Sequence, residues 1–156
     1  MKRNLDFLIF AFTVATVVAL VIGSGAAAKT SRAADEYIPF HLPLKNIYCA
    51  YSSSTESKPY YHYLRCDILS GLKKPTPSDK GCVEGTRKFT LEMDRRGKAR
   101  YGCVSDSVVD QSGRVLKYGT TWKHDGFTCH SSKKGLRCNN LSGHGFFMSR
   151  AQSKRF

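Results

Sequence analysis

Residues 126–139 read GFTCHSSKKGLRCN, two short segments of alternating apolar residues separated by a polar stretch. Phe127 and Cys129 fall on one face of the first segment, and Leu136 and Cys138 fall on one face of the second. A period of two predicts β-strands, and the polar residues between them predict the turn of a hairpin. We therefore expect the two cysteines to close this hairpin with a disulfide.

A second stretch of the chain has the same organisation. Residues 46–53 read NIYCAYSS, with apolar residues in alternate positions, and residues 64–67 read LRCD. The segment between them is polar and contains Pro59, which is typical of a loop. The pattern predicts another hairpin, here closed by Cys49 and Cys66.

The chain contains six cysteines, and an even number behind an export signal indicates a disulfide framework. Sequence spacing does not fix the connectivity, but the hairpin interpretation favours one set of pairs. No two cysteines have the C-x-x-C spacing on which structural zinc sites usually depend, so we predict no metal site and no cofactor. The favoured pairs are Cys49–Cys66, Cys82–Cys103 and Cys129–Cys138.

The segments between the cysteine hairpins also have the period of strands. Phe89, Leu91 and Met93 alternate with polar residues, and a turn at 95–98 leads to a return strand. Residues 115–122 predict a further strand or pair of strands, and no helical period of useful length is present. We predict an all-β fold, a single small disulfide-stapled domain of hairpins that forms a sandwich or a barrel.

The N-terminus has the composition of a secretory signal peptide. Lys2 and Arg3 precede an uncharged apolar run, which ends in small residues at 23–28. We predict a signal peptide at 1–28, a linker at 29–40 and the all-β disulfide domain at 41–156. The protein is then secreted or periplasmic, and the alternative is an N-terminal membrane anchor, because the run approaches the length of a spanning helix.

The formal net charge is +13, and removal of the signal peptide leaves +12 because it takes away two basic residues and one acidic residue. Such a charge favours binding to anionic surfaces, for example an acidic polysaccharide or another component of the cell envelope. The other interpretation is solubility without a specific partner. The chain carries no specific nucleic-acid motif.

Candidate binding residues come from the glycine-rich and aromatic segments of the C-terminal third. His144 lies between two glycines, which predicts either a binding loop or a tight turn. Trp122 and Tyr118 predict either an aromatic platform for a ligand or ordinary core packing.

Basic and tyrosine-rich segments supply the remaining candidates. Arg95 and Arg96 belong to the densest basic cluster, which is either a polyanion site or a solvated hairpin tip. Arg150 follows the last apolar run. Five tyrosines between 48 and 63 are too many to be buried on one strand face, so we expect some to be exposed.

The C-terminal third also carries a resemblance to known proteins. Residues 118–122 read YGTTW, 135–140 read GLRCNN and 143–150 read GHGFFMSR. The chain resembles a family of small exported bacterial proteins of unknown function with a G-L-x-C-x-N and G-H-G-F signature, over roughly residues 44–150. The resemblance implies export, and it implies no established activity and no catalytic residue.

Catalytic signatures such as H-E-x-x-H and G-x-S-x-G are absent from the sequence. We therefore predict a protein that is not an enzyme but a binding or cell-envelope-associated domain, with an anionic polymer or a protein as its partner. The alternative is a secreted inhibitor of an extracellular enzyme, which would present the loop at 52–60.

Overall fold

The computed structural model describes residues 35–56, 60–70 and 87–156, with the side chains of 87–89 left out. These residues form eleven strands and no helix, so none of them belongs to a helix that crosses a membrane. The strands are β1 (Glu36–His41), β2 (Ile47–Ser54), β3 (Tyr61–Ile68), β4 (Arg87–Asp94), β5 (Arg100–Val104), β6 (Arg114–Val115), β7 (Thr121–His124), β8 (Phe127–Ser132), β9 (Gly135–Asn139), β10 (Gly145–Met148) and β11 (Ser153–Arg155).

The strands form two sheets. The first sheet has the order β5-β4-β3-β2-β1-β6, and the second has the order β11-β10-β9-β8-β7. Neighbouring strands are antiparallel, except that β6 runs parallel to β1. The prediction of an all-β fold is confirmed, and the two sheets face each other in a sandwich-like arrangement.

The core lies between the two sheets because alternate residues of each strand point inward. In β2 the inward residues Cys49 and Tyr51 are buried, and Phe40 of β1 stacks on Trp122 of β7 with ring centroids 4.8 Å apart. A single cluster therefore joins both sheets. Its large members include Phe40, Tyr51, Leu64, Leu91, Trp122, Phe127, Leu136 and Phe146.

Two of the predicted disulfides form where the hairpin interpretation places them. Cys49 lies opposite Cys66 in the β2–β3 pair, and the bond between them is closed. Cys129 lies opposite Cys138 in the β8–β9 pair and is bonded to it in the same way. Cys103 is also disulfide-bonded, but its predicted partner Cys82 lies outside the described residues. Each such bond typically stabilises a fold by about 2–4 kcal/mol.

The turns at the two ends of β8 lie at opposite ends of the sandwich. Asp125 and Gly126 form the β7–β8 turn with φ angles of 42° and 84°. A two-residue turn with both φ values positive matches the twist of a hairpin, and aspartate and glycine tolerate it well. The β8–β9 turn, Lys133 and Lys134, lies at the other end of the strand. Asp125 and the lysine pair therefore belong to opposite ends of the sandwich.

The outer face of the first sheet carries a buried polar network, which no periodicity in the sequence predicts. Arg65 donates two hydrogen bonds of 3.1 Å to Asp67 and one of 2.8 Å to Asp106. Asp67 also accepts hydrogen bonds from Thr90 and from the backbone of Val108. The network fixes the chain after β5 across this face, where Val108 is buried.

The structure changes one detail of the predicted organisation and decides another. Residues 36–40, which we predicted as linker, belong to β1, because Ile38 and Phe40 alternate and pack against the core. The region at 115–122, predicted as a strand or a pair of strands, contributes to two strands, β6 in the first sheet and β7 in the second. Gly119, with a φ of 81°, lies in the connection where the chain changes sheets.

Candidate functional site

A cavity of about 320 Å³ opens at the end of the sandwich that carries the β8–β9 turn. We call it the lysine cleft. Its wall is built from the β1–β2 connection, the β8–β9 turn and the segment after β10. The lining residues are Leu42, Leu44, Asn46, Ile47, Tyr118, Ser132, Lys133, Lys134, Gly135, Ser149, Arg150 and Ala151.

The lysine cleft is positively charged. Lys133, Lys134 and Arg150 are exposed, and none of the described residues that line the cleft is acidic. None of the three cations forms an ion pair within the described part of the chain. Their charge is therefore available to an anion from solvent, and the concave wall concentrates the potential.

Apolar groups line the rest of the cleft. Leu42 and Ile47 are buried beneath it, Tyr118 is half-buried and Leu44 is 70% exposed. A leucine that is so exposed beside a tyrosine offers contact area to the apolar part of a ligand. The arrangement suits a ligand that combines negative charge with rings or other apolar surface.

Local backbone geometry brings the parts of the cleft together. Gly135 has a φ of 144°, and a Cβ at this position would overlap the carbonyl oxygen of Met148. The absence of a side chain lets the β8–β9 turn approach the end of β10. The hydroxyl of Ser149 accepts hydrogen bonds of 3.2 Å from the backbone of Ala151 and Gln152, which holds Arg150 in an ordered turn.

Two of the predicted site residues, Tyr118 and Arg150, therefore meet in one cleft. The structure does not bring the other C-terminal candidates there. Trp122 is 7% exposed and lies in the core against Phe40, which is the packing alternative. His144 is half-buried in the turn before β10, where its carbonyl oxygen accepts a hydrogen bond of 2.9 Å from the backbone of Asn140.

The two glycines beside His144 have separate structural roles. Gly143 has a φ of 75°, and a Cβ there would meet open space. Gly145 is buried, and a Cβ there would overlap the carbonyl oxygen of Cys138 on the neighbouring strand. The glycines thus shape a turn and a close contact between strands, the turn alternative of the sequence analysis.

Arg95 and Arg96 lie at the opposite end of the sandwich, in a hollow of about 670 Å³ that we call the arginine hollow. The β9–β10 connection holds the turn that carries them, because the Asn140 amide donates to the carbonyl oxygens of Asp94 at 2.9 Å and Gly97 at 2.8 Å. The lining residues are Tyr60, Tyr61, His62, Asp94, Arg95, Arg96 and Leu141.

A polar cluster centred on Asp125 supports the arginine hollow from behind. The Tyr51 hydroxyl donates a hydrogen bond of 2.7 Å to Asp125, and His62 Nδ1 lies 2.6 Å from the same carboxylate. Arg95 lies 3.3 Å from its other oxygen. Burial, together with the Asp125 carboxylate, raises the pKa of Tyr51 to about 12, so this hydroxyl keeps its proton into the alkaline range.

The tyrosine-rich segment divides between core and surface. Tyr60 and Tyr61 are exposed, whereas Tyr48 and Tyr51 are buried, so the expectation that some of these rings are exposed is confirmed. The loop proposed for an inhibitor begins later than expected, because β2 continues to Ser54. Residues 57–59 of that loop lie outside the described residues.

Comparisons with curated proteins and with solved structures found no match for this chain. The model of a family of unknown function, DUF6636, matches residues 17–156, which is most of the chain. The chain therefore belongs to this family of unknown function.

Proposed function

We propose that this chain is an exported binding domain without enzymatic activity, and that its lysine cleft takes an anionic segment of a cell-envelope polymer. One observation carries the proposal: Lys133, Lys134 and Arg150 converge on a cleft whose described lining residues include no carboxylate. Three unpaired cations on a concave surface favour a ligand with several negative charges.

The distribution of charge over the molecule supports a polymer as the ligand. Residues 116–156 contain eight Lys or Arg residues and one acidic residue, Asp125. Asp125 faces the opposite end of the sandwich, where it contacts Arg95 and His62. The positive field therefore extends well beyond the cleft, and a long polyanion gains from it at several points.

The apolar residues of the cleft favour a polymer made of rings. Leu44 and the half-buried ring of Tyr118 lie beside the three cations. The flat face of a sugar ring contacts such surfaces, while its acidic substituents contact the lysines. An anionic polysaccharide satisfies both parts of the cleft.

Export is part of the proposal. Two closed disulfides in the described residues are typical of proteins that fold in an oxidising compartment. N-terminal sequencing of protein recovered from the producing cells tests the predicted signal peptide, and we expect the mature chain to begin at Lys29. Recovery of residues 1–28 on membrane-bound protein would instead support the anchor.

Chromatography on immobilised heparin, used as a sulfated polysaccharide probe, tests the cleft. We compare the native sequence with the triple variant K133Q/K134Q/R150Q in a salt gradient. The native protein should elute well above physiological salt, because release of counterions makes such binding steeply salt-dependent. The triple variant should elute at clearly lower salt.

The matched control is the triple variant K98Q/R114Q/K154Q, which removes the same charge from exposed positions outside the cleft. It should elute close to the native protein. Equal early elution of both triple variants would show that only net charge matters, and the cleft proposal would then be wrong. Elution of the native protein together with a neutral control protein would refute polyanion binding altogether.

A further inference from the structure

The arginine hollow differs in chemistry from the lysine cleft, whose described lining residues include one arginine, one half-buried tyrosine and no histidine. It offers two guanidinium groups, the edge of a histidine ring held in one orientation, and two exposed tyrosine rings. From this combination we infer a second binding site, specific for a sugar that carries a carboxylate, at the end of the sandwich opposite the lysine cleft.

The arginines of the hollow would bind the carboxylate of the sugar. Arg96 is exposed and forms no ion pair within the described part of the chain, and Arg95 is 43% exposed. A planar guanidinium matches the two oxygens of a carboxylate with parallel hydrogen bonds, which a lysine ammonium does not. The hydrogen bond of 3.1 Å from the Leu141 backbone to the Arg95 carbonyl helps to fix the turn that presents both groups.

His62 would accept a hydrogen bond from a hydroxyl group of the sugar. Its Nδ1 lies beside Asp125 and also 3.0 Å from the Tyr51 hydroxyl, so this side of the ring is occupied. A carboxylate at Nδ1 holds the ring proton there and leaves Nε2 as an acceptor in the neutral imidazole. His62 is 31% exposed and lines the hollow, and within the described chain its Nε2 has no partner.

The exposed tyrosines would pack against the ring of the sugar. Tyr60 is 57% exposed and Tyr61 is 42% exposed, and both line the hollow. The Tyr61 ring packs edge-on against Tyr63 with centroids 6.0 Å apart, which limits its movement. A rigid, amphipathic ring at a surface is a favourable contact for the flat face of a pyranose.

Each acidic residue near the hollow has a cationic partner of its own, Arg100 for Asp94 and Arg95 for Asp125. Asp94 lines the hollow, but its carboxylate accepts a hydrogen bond of 2.6 Å from Arg100. Asp125 lies behind the hollow and is occupied by Tyr51, His62 and Arg95. Arg96 thus remains the cation that a ligand meets first.

A titration followed by NMR tests the site, with trigalacturonate as the probe and its methyl ester as the uncharged counterpart. We expect saturable shifts at His62 and Arg96 with trigalacturonate and little change with the ester. In the variant R96Q, the affinity for trigalacturonate measured from the His62 signals should be about tenfold lower, because the hollow loses a hydrogen-bonded charge contact. The control K98Q removes an exposed cation from the same turn outside the hollow, and it should bind within about twofold of the native protein.

The variant K133Q/K134Q/R150Q separates this inference from the proposed function. It should retain trigalacturonate binding at the hollow even if it no longer binds heparin. Shifts confined to the lysine cleft, equal binding of the methyl ester, or equal weakening by R96Q and K98Q would each overturn the inference. Shifts at the hollow with inorganic phosphate as strong as those with trigalacturonate would show an unspecific anion site and would also overturn it.

Discussion

The two sheets of this domain use charged residues in opposite ways. In the first sheet, Arg65 is buried and bound to Asp67 and Asp106, and Arg100 is bound to Glu92 and Asp94. In the second sheet, the lysines and arginines form no ion pair within the described chain, although His124 lies 2.9 Å from Glu36 of the first sheet. The single acidic residue of residues 116–156, Asp125, lies behind the arginine hollow.

This difference separates charges that hold the fold from charges that are free for a partner. A buried ion pair whose remaining polar groups are satisfied cannot lose one member without a large cost. An exposed cation without a partner contributes little to stability. We therefore expect substitution of the buried Arg65 to change stability and substitutions in the lysine cleft to change binding.

The largest effect should come from Arg65→Met. The substitution leaves the buried carboxylate of Asp67 without its cation, and breaking a buried pair in this way costs about 3–5 kcal/mol. Urea denaturation measures the free energy of unfolding. The control Arg100→Met removes an exposed paired arginine and should cost less than about 1 kcal/mol. Similar losses in the two variants would contradict the distinction between buried and exposed pairs.

Gly145→Ala should have the next largest effect, because the second sheet depends on close approach of its strands rather than on ion pairs. The added Cβ would overlap the Cys138 carbonyl, and relief of such an overlap typically costs about 1–3 kcal/mol. Gly143→Ala meets open space and should cost about 1 kcal/mol from its positive φ alone. Thermal unfolding compares the two variants, and a larger loss for Gly143→Ala would be inconsistent with this packing.

Tyr51→Phe should cost about 1 kcal/mol, because it removes the hydroxyl that bonds Asp125 and His62 between the two sheets. It should also change the response to alkaline pH. The pKa of Tyr51 is about 10 in the unfolded chain and about 12 in the folded protein. Its contribution to the free energy of unfolding is therefore complete below pH 10 and is lost between pH 10 and 12.

The alkaline loss of stability should therefore be shallower in Tyr51→Phe than in the native protein over this range. Denaturation curves at pH 9, 10 and 11 measure it, with the exposed Tyr60→Phe as the control. Parallel pH profiles for the native protein and Tyr51→Phe would show that burial does not hold the proton on this hydroxyl.

The smallest effect on stability should come from the lysine cleft variant K133Q/K134Q/R150Q. Its three side chains are exposed and unpaired within the described chain, so the free energy of unfolding should stay within about 0.5 kcal/mol of the native value. Elution from heparin at lower salt with unchanged stability would sharpen the contrast between the sheets. A loss of several kcal/mol would assign these cations to the fold instead.

The hairpins and disulfides that join residues close together in the chain could be predicted from the sequence. The alternation around Cys129 and Cys138 predicted both the hairpin and its disulfide, because a short turn forces the two strands into register. The pairing of β1 with β6 was not predicted, since it joins residues about seventy positions apart and only two residues of β6 take part. Periodicity carries no information on such distant pairing.

The candidate site could be predicted only in part, because residues that are far apart in the chain form it. The chemistry of Tyr118 and Arg150 indicates a site, but the sequence around Lys133 and Lys134 indicates only a turn. Nothing in the sequence points to Asn140 as a site residue, although it holds the turn that carries Arg95 and Arg96. The sequence around Lys133, Lys134 and Asn140 predicts polar turns and does not distinguish these residues from those of other turns.

The amino-acid sequence by itself determined the all-β class, the two hairpin disulfides and the positive charge, because each follows from local alternation or from composition. Only the tertiary structure decided that Arg65 is buried, that Trp122 belongs to the core and that cations from separate turns meet in one cleft. Burial and convergence depend on which strands lie together across the sandwich, and that is settled by packing between residues far apart in the chain.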